Sequence, residues 1–121
     1  MTLTCTCHCG NVEITLPQLP ETAVSCNCSI CRRLGTWWTK YEKADVSIVF
    51  NKQPSVGYIW GDRCIEFQHC PICASVTHYT GTSDYPSTQV AINARMLSLP
   101  EQQNIHIRHF DGADSWTFLD E

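Results

Sequence analysis

Eight of the nine cysteines in this chain fall into three tight clusters, and Cys64 stands apart. The clusters are Cys5-Thr6-Cys7-His8-Cys9, Cys26-Asn27-Cys28-Ser29-Ile30-Cys31 and Cys70-Pro71-Ile72-Cys73. Sulfurs two or three residues apart converge on one tetrahedral ion, because alternate side chains of an extended segment share a face and a Cys-x-x-Cys turn folds both sulfurs inward. This is zinc-binding spacing. Disulfides are the weaker reading: the count is odd, neighbours at Cys-x-Cys spacing bridge only with strain, and Met1-Thr2-Leu3-Thr4 opens no export signal.

A chain of 121 residues fits one domain, residues 1–121, with a core modest enough that a structural metal adds useful stability. Nowhere do about 18 apolar residues run together as a membrane-spanning helix requires. The expectation is a soluble, cytoplasmic protein with no membrane partner. A formal charge of -4, with Arg32-Arg33 as the only adjacent basic pair, argues against nucleic acid.

The periodicity is that of strands. Val12 to Leu16 alternates apolar and polar residues and stops at Pro17, and Val46 to Phe50 repeats the pattern. Further β-branched or aromatic runs cover Thr36 to Tyr41, Val56 to Trp60, Arg63 to Gln68, Ser75 to Tyr79, Gln89 to Asn93 and Ile105 to Phe110. Helix is expected only in short pieces, at Ser29 to Leu34 before Gly35 and near Ala94 to Leu97 before Pro100. The fold class is all-β.

Two ligand sets follow from the spacing. Cys7-His8-Cys9-Gly10 supplies one pair of sulfurs and Cys70-Pro71-Ile72-Cys73 the other, so that Cys7, Cys9, Cys70 and Cys73 close a four-sulfur site. Half the chain lies between the pairs, so the site staples the start of the domain to its middle. The competing reading makes Cys70 and Cys73 a redox dithiol, but that motif belongs in a βαβ context absent here. His8 is expected to point away.

Cys26, Cys28 and Cys31 offer three sulfurs and no matching pair. Structural zinc is usually saturated by four protein ligands, whereas a catalytic ion keeps one position open. Three thiolates on a divalent ion leave net negative charge, which favours exchange of an incoming thiol over production of hydroxide. A small thiol substrate is the natural partner. Arg32 and Arg33 follow directly, to grip a substrate carboxylate or simply to face solvent. Of Trp37-Trp38, opposite strand faces allow at most one to wall a pocket.

The ordered elements Cys-x-Cys-Gly, Cys-x-Cys-x-x-Cys-Arg and Cys-x-x-Cys, standing as Cys7 to Gly10, Cys26 to Arg33 and Cys70 to Cys73, resemble the glutathione-dependent formaldehyde-activating enzyme family, which includes the centromere protein V type. The tail from Ile105 to Trp116 is similar to that family's last strands, so the resemblance spans nearly the whole chain. It implies an open, tent-like β structure with zinc knuckles. It also implies a structural zinc on Cys7, Cys9, Cys70 and Cys73, and a second, labile zinc on Cys26, Cys28 and Cys31 where the thiol of glutathione binds. The activity implied is that of a carbon–sulfur lyase or synthase forming and cleaving S-hydroxymethylglutathione. Departures are Asn27, where the motif often has histidine, and Ala74, where glycine commonly follows the Cys-x-x-Cys.

Other residues receive ordinary expectations. Cys5 reads as a free surface thiol, or as a further ligand to either site; Cys64 reads as a small buried hydrophobe in its strand. His69 can orient a ligand, while His78, His106 and His109 have no partner visible in the sequence. The alternative to a lyase is a non-catalytic zinc module for protein interaction. The state of the second site separates the two: a fourth protein ligand favours the module, an open position beside a pocket favours the enzyme.

Overall fold

The computed structural model describes residues 2–120 and is built almost wholly of strands. They are β1 (Leu3–Thr6), β2 (Val12–Leu16), β3 (Thr22–Cys26), β4 (Trp38–Glu42), β5 (Ser47–Phe50), β6 (Val56–Ile59), β7 (Ile65–His69), β8 (Val76–Gly81), β9 (Gln89–Asn93) and β10 (His106–Phe110). Two one-turn helices, α1 (Cys31–Leu34) and α2 (Leu99–Gln102), complete the regular structure with short 3-10 turns at Lys43–Asp45 and Ala94–Met96. The all-β expectation holds.

A three-stranded sheet, β1-β2-β5, stands against a seven-stranded sheet ordered β10-β3-β4-β9-β8-β7-β6. Neither sheet closes into a barrel. Neighbours run antiparallel except β3 and β10, which pair in parallel from Thr22 opposite His106 to Cys26 opposite Phe110. That pairing joins residues over eighty positions apart and carries the C-terminal strand to the cysteines at the end of β3.

Strand alternation gives the large sheet two different faces. Tyr41, Val90 and Ile92 pack with Cys5, Val12, Ile14 and Leu16 of the small sheet, forming the main core. Trp38, Phe67 and Ala91 point the other way, into a second cluster with Cys31 and Tyr79. Trp38 and Tyr41 are three residues apart on one strand and therefore face opposite sides, as do Ala91 and Ile92. The second face is the floor of a cleft.

Several boundaries differ from the sequence expectation for local reasons. Arg63 adopts φ +62 and closes a turn with its N–H on the Trp60 carbonyl at 3.1 Å, so the strand begins at Ile65 and Cys64 lies outside it. Strand β4 begins at Trp38 and reaches Glu42. Strands β1 and β3 carry no clear signal in the sequence, because four or five residues beside a cysteine cluster show little periodicity. Helix α1 spans a single turn ending at Gly35, whose φ of 68 is the left-handed C-terminal conformation expected. Pro100 does not terminate a helix. It sits in the first turn of α2, where a missing N–H costs nothing, behind a capping box formed by Ser98 and Glu101.

Candidate metal centres and the adjoining cleft

The four sulfurs of Cys7, Cys9, Cys70 and Cys73 lie within 4.8 Å of one another. Cys7 leaves β1, Cys9 follows in the turn before β2, and Cys70 and Cys73 occupy the knuckle between β7 and β8. Gly10 at φ +85 allows the tight path from Cys9 into β2. Cys9 stands 3.7 Å from both Cys7 and Cys70. Four zinc–sulfur bonds of about 2.3 Å in a tetrahedron place sulfurs about 3.8 Å apart, whereas a disulfide needs about 2.05 Å. The donor set and its spacing fit a four-coordinate divalent ion. His8 is exposed and contributes no ligand atom to the group.

Backbone and side-chain donors surround these sulfurs. The Val12 N–H donates to Cys7 at 3.2 Å and the Ile72 N–H to Cys70 at 3.4 Å. The Asn11 side-chain amide donates to Cys70 at 3.4 Å, and the Ser75 hydroxyl lies 3.2 Å from Cys73. Neither Asn11 nor Ser75 was legible as a supporting residue. Burial opposes ionisation at Cys73, yet the Ser75 hydroxyl and N–H and further donors from Cys9 and Cys7 outweigh it and bring the thiol down to about 5. Burial likewise opposes ionisation at Cys70, where the Cys73 N–H, the Asn11 amide and the Ile72 N–H win and hold it low. Cys9 moves the other way, to about 11: the Asn11 N–H favours its thiolate, but desolvation and the neighbouring thiols of Cys70, Cys7 and Cys73 prevail. Adjacent thiolates repel, and a divalent cation among them removes that conflict.

The second group, Cys26, Cys28 and Cys31, also falls within 4.8 Å, and among the described residues no fourth His, Cys, Asp or Glu joins it. Cys26 ends β3 and Cys31 opens α1, so a strand end and a helix start set the spacing. Each sulfur accepts an N–H at 3.4 Å: Cys26 from the Cys28 backbone, Cys28 from the Cys31 backbone, and Cys31 from the Trp38 indole. Burial drives Cys31 up to about 12 against the pull of the Trp38 indole, and burial raises Cys26 as well. At Cys28 burial is outweighed by donors from Cys31, Cys26 and Ile30, and the thiol is lowered. Three sulfurs, with the Cys28 thiol lowered among them, suit a metal that keeps an open position.

The three cysteines line a cleft of about 1070 Å³ over the second face of the large sheet. Arg32 lines it. Arg33 does not; its guanidinium donates to the Ser29 carbonyl at 2.7 Å. Trp38 lies on the floor, in mutual ring contact with Tyr79 at 4.8 Å and Phe67 at 6.0 Å. Trp37, on the other side of the strand, packs against the main core.

The C-terminal segment after β10 folds over the three cysteines. A side chain on Gly112 would place its Cβ 2.7 Å from the Cys26 sulfur and 3.1 Å from the Cys28 Cβ, so only glycine permits the approach. Asn27, between two of the cysteines, donates to Asp111 at 3.0 Å and accepts from the Ala113 N–H at 3.0 Å. The amide that stands at the motif's usual histidine position thus ties the tail to the knuckle.

The two remaining cysteines depart from expectation. Cys5 is 5% exposed and packed in the main core, a buried thiol raised to about 11 chiefly by desolvation, and it belongs to neither group. Its alternation with Thr4 and Thr6 in β1 turns it inward opposite Ile14. Cys64 is half-buried in the turn before β7, not a core residue, and contributes to neither group. His78 is buried with its Nδ1 2.8 Å from the Thr77 hydroxyl, and His109 pairs with Asp120 at 2.9 Å.

A β-rich fold with one closed cysteine knuckle and one open three-cysteine group beside a cleft defines a class of cysteine-knuckle domain. The model of the family described as glutathione-dependent formaldehyde-activating enzyme matches residues 2–110, and the chain belongs to that family. The crystal structure of a Rhodobacter sphaeroides protein is similar, with a TM-score of 0.69 and 26% identity, over 87% of this chain and 99% of that one. No curated protein sequence matches. The family match ends at Phe110, before the segment that folds over the cleft. No helix among the described residues is long and apolar enough to cross a membrane.

Proposed function

We propose that the protein is a zinc-dependent carbon–sulfur lyase or synthase acting on a thiol adduct such as S-hydroxymethylglutathione. The observation that carries this reading is the three-cysteine group with no fourth protein ligand among the described residues, opening on a cleft that Arg32 lines. Cys7, Cys9, Cys70 and Cys73 would hold one zinc for stability, and Cys26, Cys28 and Cys31 a second, labile one. A zinc ion bound at the second group would supply a Lewis acid favouring the deprotonated form of an incoming thiol, which free in solution at about 8.5 is mostly protonated near neutral pH.

The chain's own residues do the rest. The Trp38 indole and the two knuckle amides each spend one N–H on a cysteine sulfur, which disperses the negative charge of three thiolates. Arg32, on the lining of the cleft, would meet a carboxylate of the thiol substrate. Gly112 lets the C-terminal segment come close over Cys26 and Cys28. In the cleavage direction the carbon–sulfur bond breaks, its electrons return to sulfur, and the hydroxyl proton passes through solvent to the released thiol as the carbonyl forms.

The test is formaldehyde release from S-hydroxymethylglutathione by zinc-loaded protein, followed with an excess of a carbonyl scavenger. Release should exceed the spontaneous rate by at least tenfold and disappear in Cys28→Ser. A rate equal to the spontaneous one, with two zinc ions bound per chain, would favour the non-catalytic module.

A further inference from the structure

Formaldehyde contributes a single carbon to its adduct, and the cleft is far larger than that carbon needs. Its volume of about 1070 Å³ lies at the upper limit of the ~300–1,000 Å³ typical of pockets that enclose drug-sized ligands. Seven of the chain's twelve aromatic side chains line it, against three charged ones, Arg32, Lys40 and Asp62. Two of the seven are largely uncovered indoles: Trp116 is 70% exposed and Trp60 is 42% exposed. Solvent-facing indoles converging on one cleft mark a place for a planar apolar ligand.

Trp116 is held there at a cost. Its φ of +58 is the left-handed conformation that a bulky residue adopts only under constraint. The constraint is visible: the Trp116 N–H donates to the Asp111 carbonyl at 2.8 Å, and the Asp111 N–H donates to Thr117 at 2.8 Å. The indole also meets the edge of Phe110 with centroids 5.0 Å apart. Asn27 fastens the same loop to the cysteine knuckle through Asp111 and Ala113. Indole and metal centre are thereby fixed in one frame, although the loop lies beyond the family match.

We infer that the substrate's carbonyl half is a large, flat, apolar one, so that the adduct is the hemithioacetal of an aromatic aldehyde with a carboxylate-bearing thiol. The inference rests on the lyase reading and names the substrate class of that same site. The aryl group lies between the Trp38, Phe67 and Tyr79 floor and the Trp116 wall, while Arg32 and Lys40 meet the carboxylates of the thiol half. The step balances without oxidant or reductant. The carbon–sulfur bond breaks with its electron pair passing to sulfur, the hydroxyl proton passes through solvent to that sulfur as the carbonyl forms, and the products are free thiol and aromatic aldehyde.

The experiment compares zinc-loaded parent and Trp116→Ala on two adducts of glutathione, with 2-naphthaldehyde and with formaldehyde. The parent should favour the naphthyl adduct by at least tenfold in kcat/KM, and Trp116→Ala should lower that preference about tenfold; Trp60→Ala, at the other exposed indole, should lower it in the same direction. A preference for the formaldehyde adduct, or a preference untouched by both variants, overturns the inference and leaves the lyase reading standing. If neither adduct is turned over, the lyase reading fails. The aromatic seat is then judged by titrating S-(2-naphthylmethyl)glutathione, which cannot be cleaved, against tryptophan fluorescence. Saturable binding weakened tenfold in Trp116→Ala supports the seat; binding absent or indifferent to the variant overturns it too.

Discussion

Asn11 donates its side-chain amide to the Cys70 sulfur at 3.4 Å across 59 positions of sequence. The same side chain accepts from the Lys52 and Gln53 N–H groups at 2.7 and 2.9 Å and donates to the Gln53 carbonyl at 2.8 Å. One buried amide therefore joins the start of β2, the loop after β5 and the four-cysteine centre.

Truncation of that amide leaves two N–H groups and a carbonyl without their partners. Asn11→Ala should lower the unfolding free energy by about 2–4 kcal/mol and weaken metal retention at the four-cysteine group by roughly 10- to 100-fold. Urea unfolding and competition with a chelator measure the two effects. Unchanged retention would mean that the contact with Cys70 has no influence on the metal.

Ala74 keeps the backbone conformation suited to the glycine common at its position, with φ +66 and its N–H on the Cys70 carbonyl at 2.9 Å. Relief of the left-handed strain is worth roughly 1–2 kcal/mol, partly offset by the greater freedom of glycine in the unfolded chain. Ala74→Gly should raise the denaturation midpoint slightly; a fall would contradict strain at this residue.

Gly112 has no room for a methyl group beside Cys26 and Cys28. In Gly112→Ala the tail must lift or the sulfurs must move, and cobalt affinity at the three-cysteine group should drop at least tenfold while the four-cysteine group fills as before. Thiolate-to-cobalt absorption distinguishes the sites by their order of filling. Equal weakening of both sites would place the effect in the whole fold.

The two cysteine groups should differ in what they support. Cys70→Ser should cost on the order of 3 kcal/mol or more, because the centre joins the β1–β2 turn to the knuckle between β7 and β8; Cys28→Ser should cost within about 1 kcal/mol. Zinc per chain should fall from about two to about one in Cys28→Ser. Equal destabilisation by both substitutions would end the division of labour.

His78 is buried, and desolvation lowers it from 6.5 to about 4. Its folded value lies below its unfolded one, so the unfolded chain binds the extra proton first. Stability is full above about 6.5 and is lost as pH falls toward about 4, by up to about 3 kcal/mol from this residue. Urea midpoints of the parent and His78→Gln should converge over that interval, and parallel curves would assign the acid sensitivity elsewhere.

Much of the candidate site is legible in the sequence because it is local. Cys7 and Cys9, Cys70 and Cys73, and the run from Cys26 to Cys31 are each brought together by the few residues between them, and strand alternation separates Trp37 from Trp38. Boundaries were less legible where one residue's backbone decides them: Arg63 in a left-handed turn moved Cys64 out of its expected strand, and the Ser98–Glu101 capping box turned Pro100 from a stop into a start.

The spacing of cysteines and the period-two pattern by themselves determined the β class and the two cysteine groups, since both depend on geometry repeated over two to five residues. Only the tertiary structure decided what lies beyond those sets. The parallel pairing of β3 with β10 delivers Gly112 and Trp116 to the open cysteines, Asn11 reaches Cys70 from the far side of the chain, and Cys5 is turned into the core. Those contacts join residues tens of positions apart, and their partners are selected by the register and packing of whole sheets, which no local pattern encodes.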